Sequence, residues 1–223
     1  MGIWYTGGPA MTAFRSESLL RKALCDAGRT LYERGLIGPT DGNLSARVGD
    51  GRLLCTPSGA HKGALREGDL VLLDLEGRVI RGGRASSELK MHLALYRQKP
   101  RVLCVVHAHP PSAVGLTVAG WGLDPPVVPE ILFAMGRVPT VPYASPTTSD
   151  VPDAVAAVVA SGCEAFMLAR HGSVVLCDDP MTGVLRTEII EHTAKITIAA
   201  RSAGSAVPLP EEEIRRLLVL AGR

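Results

Sequence analysis

Apolar positions along this chain repeat with a helical period in some stretches and with a period of two in others. Between residues 14 and 36, Leu19, Leu20, Ala23, Leu24, Ala27 and Leu31 recur at helical spacing, which predicts an amphipathic helix ending near Gly35. The turn-forming run Gly38-Pro39-Thr40-Asp41-Gly42-Asn43 breaks that pattern. Residues 44–48, 52–56 and 70–74 follow as short strand candidates punctuated by glycine, as in an antiparallel meander. Helical periodicity returns over residues 87–96, where Leu89, His92, Leu93 and Tyr96 share a face, before an apolar strand at 102–106 and a helix at 111–118.

Residues 121–152 are rich in proline and hold only a short helix candidate at 130–135 and a brief strand at 138–141; irregular stretches of that length usually carry function. Beyond them come a helix at 151–161, strands at 165–169 and 174–177, a long helix at 180–203 and a short amphipathic helix at 211–220. Helices mixed with consecutive short strands predict an α/β protein, a three-layer α/β/α sandwich with a largely antiparallel central sheet. Residues 13–223 are expected to form one domain. Residues 1–12, which contain Gly7-Gly8-Pro9, are expected to be a flexible tail, with Met11 as an alternative start.

Composition narrows the function. With 223 residues, 46% of them apolar, the chain can bury a substantial core. Its 24 basic and 22 acidic side chains nearly cancel and are interspersed, so no field suited to nucleic acid or an anionic membrane arises. The N-terminus lacks a basic region followed by an apolar stretch, and no run approaches the length of a membrane span, so a cytoplasmic protein is expected. Cys25, Cys55, Cys104, Cys163 and Cys177 are odd in number, scattered and without a CxxC pair, unlike a disulfide framework or a thiolate zinc site.

The candidate chemistry lies in histidines at strand ends. Strand side chains alternate faces, so His107 and His109 project the same way, either as two ligands of one metal ion or as two hydrogen-bonded polar residues at the rim of the sheet. His171 shifts the balance towards metal, because it too ends an apolar strand and precedes Gly172. Three neutral imidazoles suit Zn2+, or another divalent transition metal, and leave coordination positions open. His61 sits in a glycine-flanked loop. His92 and His192 follow Glu88 and Glu188 by four residues, a spacing typical of helix-surface pairs or of contacts behind a metal ligand. Ser86 and Ser87 precede a helix and can cap it or receive an anion, and the small-residue turns at Gly42-Asn43 and Ser58-Gly59 let backbone amides approach the same anion.

Taken in order, Thr40-Asp41-Gly42-Asn43-Leu44-Ser45-Ala46-Arg47, Thr56-Pro57-Ser58-Gly59, Ser86-Ser87-Glu88, His107-Ala108-His109 and Arg170-His171-Gly172 resemble the class II aldolase/adducin-head family, which includes fuculose-phosphate aldolase and ribulose-phosphate 4-epimerase. The resemblance spans most of the chain. It implies that His107, His109 and His171 hold zinc, that Gly42, Asn43, Ser58, Gly59, Ser86 and Ser87 surround a substrate phosphate, and that Glu88 is the catalytic acid/base, with its pKa raised by burial.

The reaction so implied is cleavage of a ketose 1-phosphate to dihydroxyacetone phosphate and an aldehyde through an enediolate. The family's epimerases carry aspartate where Glu88 stands. Glu130 aligns with a tyrosine proton donor of the aldolase; it is either a second catalytic carboxylate, reminiscent of methylthioribulose-phosphate dehydratases, or a helix-start surface residue. Decarboxylases of the family share the zinc trio but are expected to take acidic aromatic substrates without a phosphate cradle. A non-enzymatic adducin-like role ranks below these, since all the candidate ligands are present. The family further implies a homotetramer with active sites at subunit interfaces, residues 121–152 supplying a neighbour's part.

Overall fold

The computed structural model describes residues 16–49, 51–144 and 150–223. The expected tail at 1–12, Met11 and the first residues of the helix forecast from residue 14 lie outside them. In chain order the elements are α1 (Glu17–Glu33), β1 (Asn43–Val48), β2 (Arg52–Cys55), β3 (Val71–Asp74), β4 (Val79–Arg81), α2 (Leu89–Gln98), β5 (Cys104–Ala108), α3 (Pro111–Val118) and α4 (Glu130–Met135). They continue as β6 (Thr140–Val141), α5 (Asp150–Ala160), β7 (Ala165–Leu168), β8 (Gly172–Cys177), α6 (Pro180–Ser202) and α7 (Glu211–Leu220).

The strands form one eight-stranded sheet in the order β4-β3-β2-β1-β5-β8-β7-β6. Every neighbouring pair is antiparallel except β6 and β7, which run parallel. The forecast of a largely antiparallel sheet between helical layers therefore holds. Alternation along the strands divides the core. Leu44, Ala46, Cys104, Val106 and Val175 face the layer containing α1, α3, α4, α6 and α7, and Leu53, Val71, Val105, Phe166 and Val174 face α2 and α5.

Two sequence expectations shift in ways that bear on the site. Helix α2 begins at Leu89, with Glu88 as its N-cap residue. Strand β5 runs two residues further than its apolar run suggests, because His107 is buried within it and pairs with Asn43 on one side and Val174 on the other. Strand β4, not anticipated, is a three-residue edge strand whose side chains are exposed, so burial left no pattern to read. Cys25, Cys55, Cys104 and Cys177 are buried. No helix among the described residues is long and apolar enough to cross a membrane.

Candidate metal centre

The site forms where β1, β5 and β8 run side by side beneath the start of α2. Odd-numbered residues of β5 face α2, which puts His107 under that helix, and the chain leaves the strand with His109 on the same side. The amide of His109 donates to the carbonyl of Leu36 at 2.9 Å, fixing the exit. His171 arrives from the turn between β7 and β8. Its neighbour Arg170 is the non-glycine residue in the left-handed region among the described residues, with φ of 61°, a conformation that costs of order 1 kcal/mol and must be held by its surroundings. The Arg170 amide donates to the Thr117 hydroxyl at 2.8 Å, which supplies part of that hold.

Two glycines let these segments converge. A Cβ at Gly172 would collide with the Ala108 carbonyl oxygen and stand 2.9 Å from both His107 Cε1 and His109 Cδ2. At Gly42, where φ is +64°, it would meet the His107 carbonyl oxygen at 2.7 Å and Ile37 Cγ2 at 2.8 Å. Both positions therefore exclude larger residues by packing, and Gly42 by its left-handed conformation as well.

The three imidazole rings stand edge-on to one another, with centroids 4.8, 4.8 and 5.0 Å apart. His107 Nε2 lies 2.9 Å from His109 Nε2 and 3.1 Å from Glu88 Oε2, and His171 Nε2 lies 3.3 Å from Glu88 Oε1. One ligand atom from each of Glu88, His107, His109 and His171 falls within 4.8 Å of all the others. Donors about 2.0–2.1 Å from a tetrahedral zinc stand about 3.3 Å from one another, close to these separations.

The chemistry of the cluster also asks for a cation. His107 Nδ1 donates to the Ser173 carbonyl at 2.9 Å. Since that carbonyl can only accept, Nδ1 carries a proton and Nε2 faces the Glu88 carboxylate, donating to it when protonated. With a divalent ion between them, Nε2 and the carboxylate could both turn lone pairs to the metal, and the Ser173 contact would orient the ligand from behind. Burial, followed by the charge of His107 and then of His171, depresses His109 to about 3, and burial likewise lowers His171. Both rings are thus neutral, as ligands must be. The residues present could hold a metal ion.

Glu88 caps no amide with its side chain, although it occupies the N-cap of α2. Its carboxylate points into the histidine cluster and accepts from Asn43 Nδ2 at 2.8 Å. The expectation of a raised pKa is reversed. Burial pushes it up, but the charge and hydrogen bond of His107, then the charge of His171 and the Asn43 amide, outweigh burial and hold it well below the usual carboxylate range. The group is therefore held as an ionised carboxylate, suited to binding a cation.

Behind the cluster, His92 is fully buried on α2; its Nδ1 lies 2.7 Å from Ser45 Oγ, itself 2.9 Å from the Tyr96 hydroxyl. His61 packs edge-on against Tyr32, and His192 is exposed on α6, where Glu188 pairs with Arg34 instead.

The cluster opens into a pocket lined by Gly42, Asn43, Ser58, Gly59, Ser86, Ser87, Glu88, His109 and His171, with Thr40, Asp41, Pro57 and Lys62. All the small-residue turns singled out in the sequence therefore meet at one place. Thr56 ties them together: its amide donates to the Leu44 carbonyl at 3.0 Å, its hydroxyl accepts from the Leu44 amide at 3.2 Å, and its carbonyl accepts from the Ser86 amide at 3.1 Å. Ser58 is joined to the same loop through its amide, which donates to the Arg84 carbonyl at 2.9 Å.

Glu130 stands apart, exposed at the first position of α4 and absent from the lining of this pocket. Lys62 is the lining residue that sequence reasoning missed. A single lysine in a glycine-rich loop reads as solvated, yet it is only 2% exposed.

Comparison with known proteins agrees with this architecture. Residues 22–198 match the family described as Class II Aldolase and Adducin N-terminal domain. The 3-oxo-tetronate 4-phosphate decarboxylase of Haemophilus influenzae is 34% identical over 181 residues, 79% of this chain and 85% of that protein. The L-fuculose phosphate aldolase of Methanococcus vannielii is 32% identical over 168 residues, covering 74% and 88%. Among solved structures, YgbL of Klebsiella pneumoniae superposes with a TM-score of 0.83 at 33% identity, covering 91% of this chain and 99% of that one. These relatives correct one expectation: decarboxylases of this kind are not confined to aromatic acids, since the H. influenzae enzyme is named for a phosphorylated substrate. The chain belongs to the class II aldolase and adducin N-terminal domain family.

Proposed function

We propose that this protein is a zinc-dependent lyase that decarboxylates a phosphorylated 3-oxo sugar acid of the 3-oxo-tetronate 4-phosphate type. The observation that carries the proposal is the continuity of the Glu88–histidine cluster with the serine and glycine loops in one pocket. A substrate with a keto group next to a phosphorylated carbon can then reach both. The choice of decarboxylation over aldol cleavage draws support from relatives in several bacteria, all named as 3-oxo-tetronate 4-phosphate decarboxylases and 34% or 35% identical over about four-fifths of the chain.

His107, His109 and His171 would hold the ion. It supplies Lewis acidity toward the negative charge that develops on the substrate's keto and hydroxyl oxygens. Ser58, Ser86, Ser87 and the amides of Gly42 and Gly59, with Asn43 beside them, would seat the phosphate and so orient the bond to be broken. The C1–C2 bond breaks, carbon dioxide leaves, and the electron pair remains as the C2–C3 enediolate. Glu88, positioned by the Asn43 amide, relays a solvent proton to C2, and the product is dihydroxyacetone phosphate.

Aldol cleavage of a ketose 1-phosphate would pass through the same enediolate with an aldehyde leaving in place of carbon dioxide, which is why one site can serve either reaction. It is the second reading, supported by the M. vannielii aldolase and by a 5-deoxy-D-ribulose 1-phosphate aldolase 33% identical over 88% of this chain. A homotetramer in the cytoplasm, with Glu130 offered to a neighbour's pocket, completes the proposal; the exposure of Glu130 on its own subunit is compatible with that placement. The test is a panel assay on zinc-loaded protein. 3-Oxo-tetronate 4-phosphate, L-fuculose 1-phosphate, ribulose 5-phosphate and methylthioribulose 1-phosphate are supplied separately, and carbon dioxide, aldehyde, epimer and dehydration product are measured. Carbon dioxide as the main product supports the proposal; an aldehyde from L-fuculose 1-phosphate with no carbon dioxide from the acid replaces it with the aldolase reading.

A further inference from the structure

Lys62 is nearly inaccessible, 2% exposed, yet it lines the pocket that receives the serine and glycine loops. Its ammonium donates to the Thr40 carbonyl at 2.8 Å and to the Ala60 carbonyl at 2.9 Å. One of these belongs to the loop leading into Asn43 and the other to the loop that carries Ser58. The Lys62 amide adds a third tie, donating to the Pro39 carbonyl at 2.9 Å. Gly28 of α1 makes room for this packing, since a Cβ there would stand 2.9 Å from the Lys62 carbonyl oxygen.

Two features indicate a role beyond tying loops together. An ammonium has three N–H donors, and two carbonyls take two of them, leaving one for an oxygen in the pocket. Among the described residues Lys62 is also the one lysine or arginine in the lining, which otherwise carries the carboxylates of Asp41 and Glu88. A phosphate dianion seated there would meet hydroxyls, amides and two negative side chains; burying such a charge without a cation is strongly unfavourable.

We propose that Lys62 is the charge partner of the substrate phosphate, and that it makes the pocket select a dianionic phosphate ester over a monoanionic ester of the same shape. This rests on the reading of the pocket as a phosphate site. Lys62 also positions the cradle, by clamping Thr40 and Ala60 on either side of it.

The experiment compares glycerol 3-phosphate with glycerol 3-sulfate, titrated calorimetrically into zinc-loaded full-length protein at pH 8. Wild type, Lys62→Gln and Lys62→Arg are used, with zinc content measured for each. Wild type should prefer the phosphate at least tenfold. Lys62→Gln should lose most of that preference at unchanged zinc content, and Lys62→Arg should keep it. Equal weakening of both esters in Lys62→Gln would mean that Lys62 only braces the loops, and unchanged binding would remove it from the site; either overturns the inference while leaving the phosphate reading intact. Should Lys62→Gln fail to fold, Lys62→Arg decides, and loss of preference with zinc retained overturns the proposal. Failure of wild type to bind glycerol 3-phosphate more tightly than glycerol overturns the phosphate reading and this inference together.

Discussion

The carboxylate of Glu88 stands 3.1 Å from Nε2 of His107, joining the N-cap of α2 to the end of β5 in the middle of the sheet, where His107 pairs with Asn43 of β1. The two residues play different parts in the proposed chemistry, and substitutions separate them. Glu88→Gln keeps the shape and the Asn43 contact's geometry but removes the proton-carrying group, so turnover should fall about 10²–10⁴-fold while zinc stays bound by the three imidazoles. His107→Ala should instead lose zinc, as read by elemental analysis of purified protein. A Glu88→Gln enzyme with wild-type turnover would remove Glu88 from its role.

Gly172 is required by the approach of the three rings. Adding one methyl in Gly172→Ala brings it against the Ala108 carbonyl and within 2.9 Å of His107 and His109. Overpacking of this kind costs about 1–3 kcal/mol, and here the displaced groups are the proposed metal ligands. The variant should show a lowered melting temperature and, after zinc loading, a Kd for zinc raised at least tenfold. Wild-type zinc affinity would contradict the crowding argument.

Glu191 provides a contrast, because it is buried, 5% exposed, and lies outside the pocket. Reaching across from α6, its carboxylate accepts from the amides of Ser112 at 2.9 Å and Ala113 at 3.2 Å, satisfying the first turn of α3 just after His109-Pro110. Glu191→Ala leaves two amide donors without that acceptor, and the expected loss is about 1–3 kcal/mol of unfolding free energy by urea denaturation. A change below about 0.5 kcal/mol, the scatter of ordinary surface substitutions, would count against the capping role.

Acid should destabilise the metal-free protein in a defined window. Burial, then the charge of His107, depresses His92 and His109 from 6.5 to about 3. Between these values the unfolded chain binds protons that the folded chain refuses, so stability is full above pH 6.5 and falls as the pH drops toward 3. Urea midpoints of metal-free protein at pH 7.5, 6 and 4.5 should decrease in that order, and His92→Gln should flatten the slope. A midpoint independent of pH over this range would contradict the neutral, buried state of these rings.

Much of this arrangement was legible in the sequence, and the reasons are specific. His107 and His109 could be placed on one side because a strand repeats every two residues, and α3, α4 and α7 appear with the forecast limits because proline or acidic residues mark their starts. The ordered small-residue motifs identified the family. Other features depend on contacts that no local pattern encodes. Strand β4 has no buried face, the burial of Lys62 depends on loops 20 residues apart meeting at two carbonyls, and the low pKa of Glu88 arises from histidines on β5 and on the turn before β8, both distant in sequence. The motifs encode the enediolate shared by both reactions and not the leaving group, so the sequence favoured aldol cleavage while the relatives lend more support to decarboxylation.

The most direct test of the central claim follows carbon and hydrogen together. Zinc-loaded protein in D2O is given 3-oxo-tetronate 4-phosphate labelled with carbon-13 at C1, and the reaction is followed by NMR. Labelled carbon dioxide and dihydroxyacetone phosphate free of carbon-13 label, with one deuterium at the former C2, are expected, and chelator should abolish both signals and zinc restore them. Substrate that remains intact under these conditions, or carbon dioxide released at the same rate by metal-free protein, would contradict the central claim.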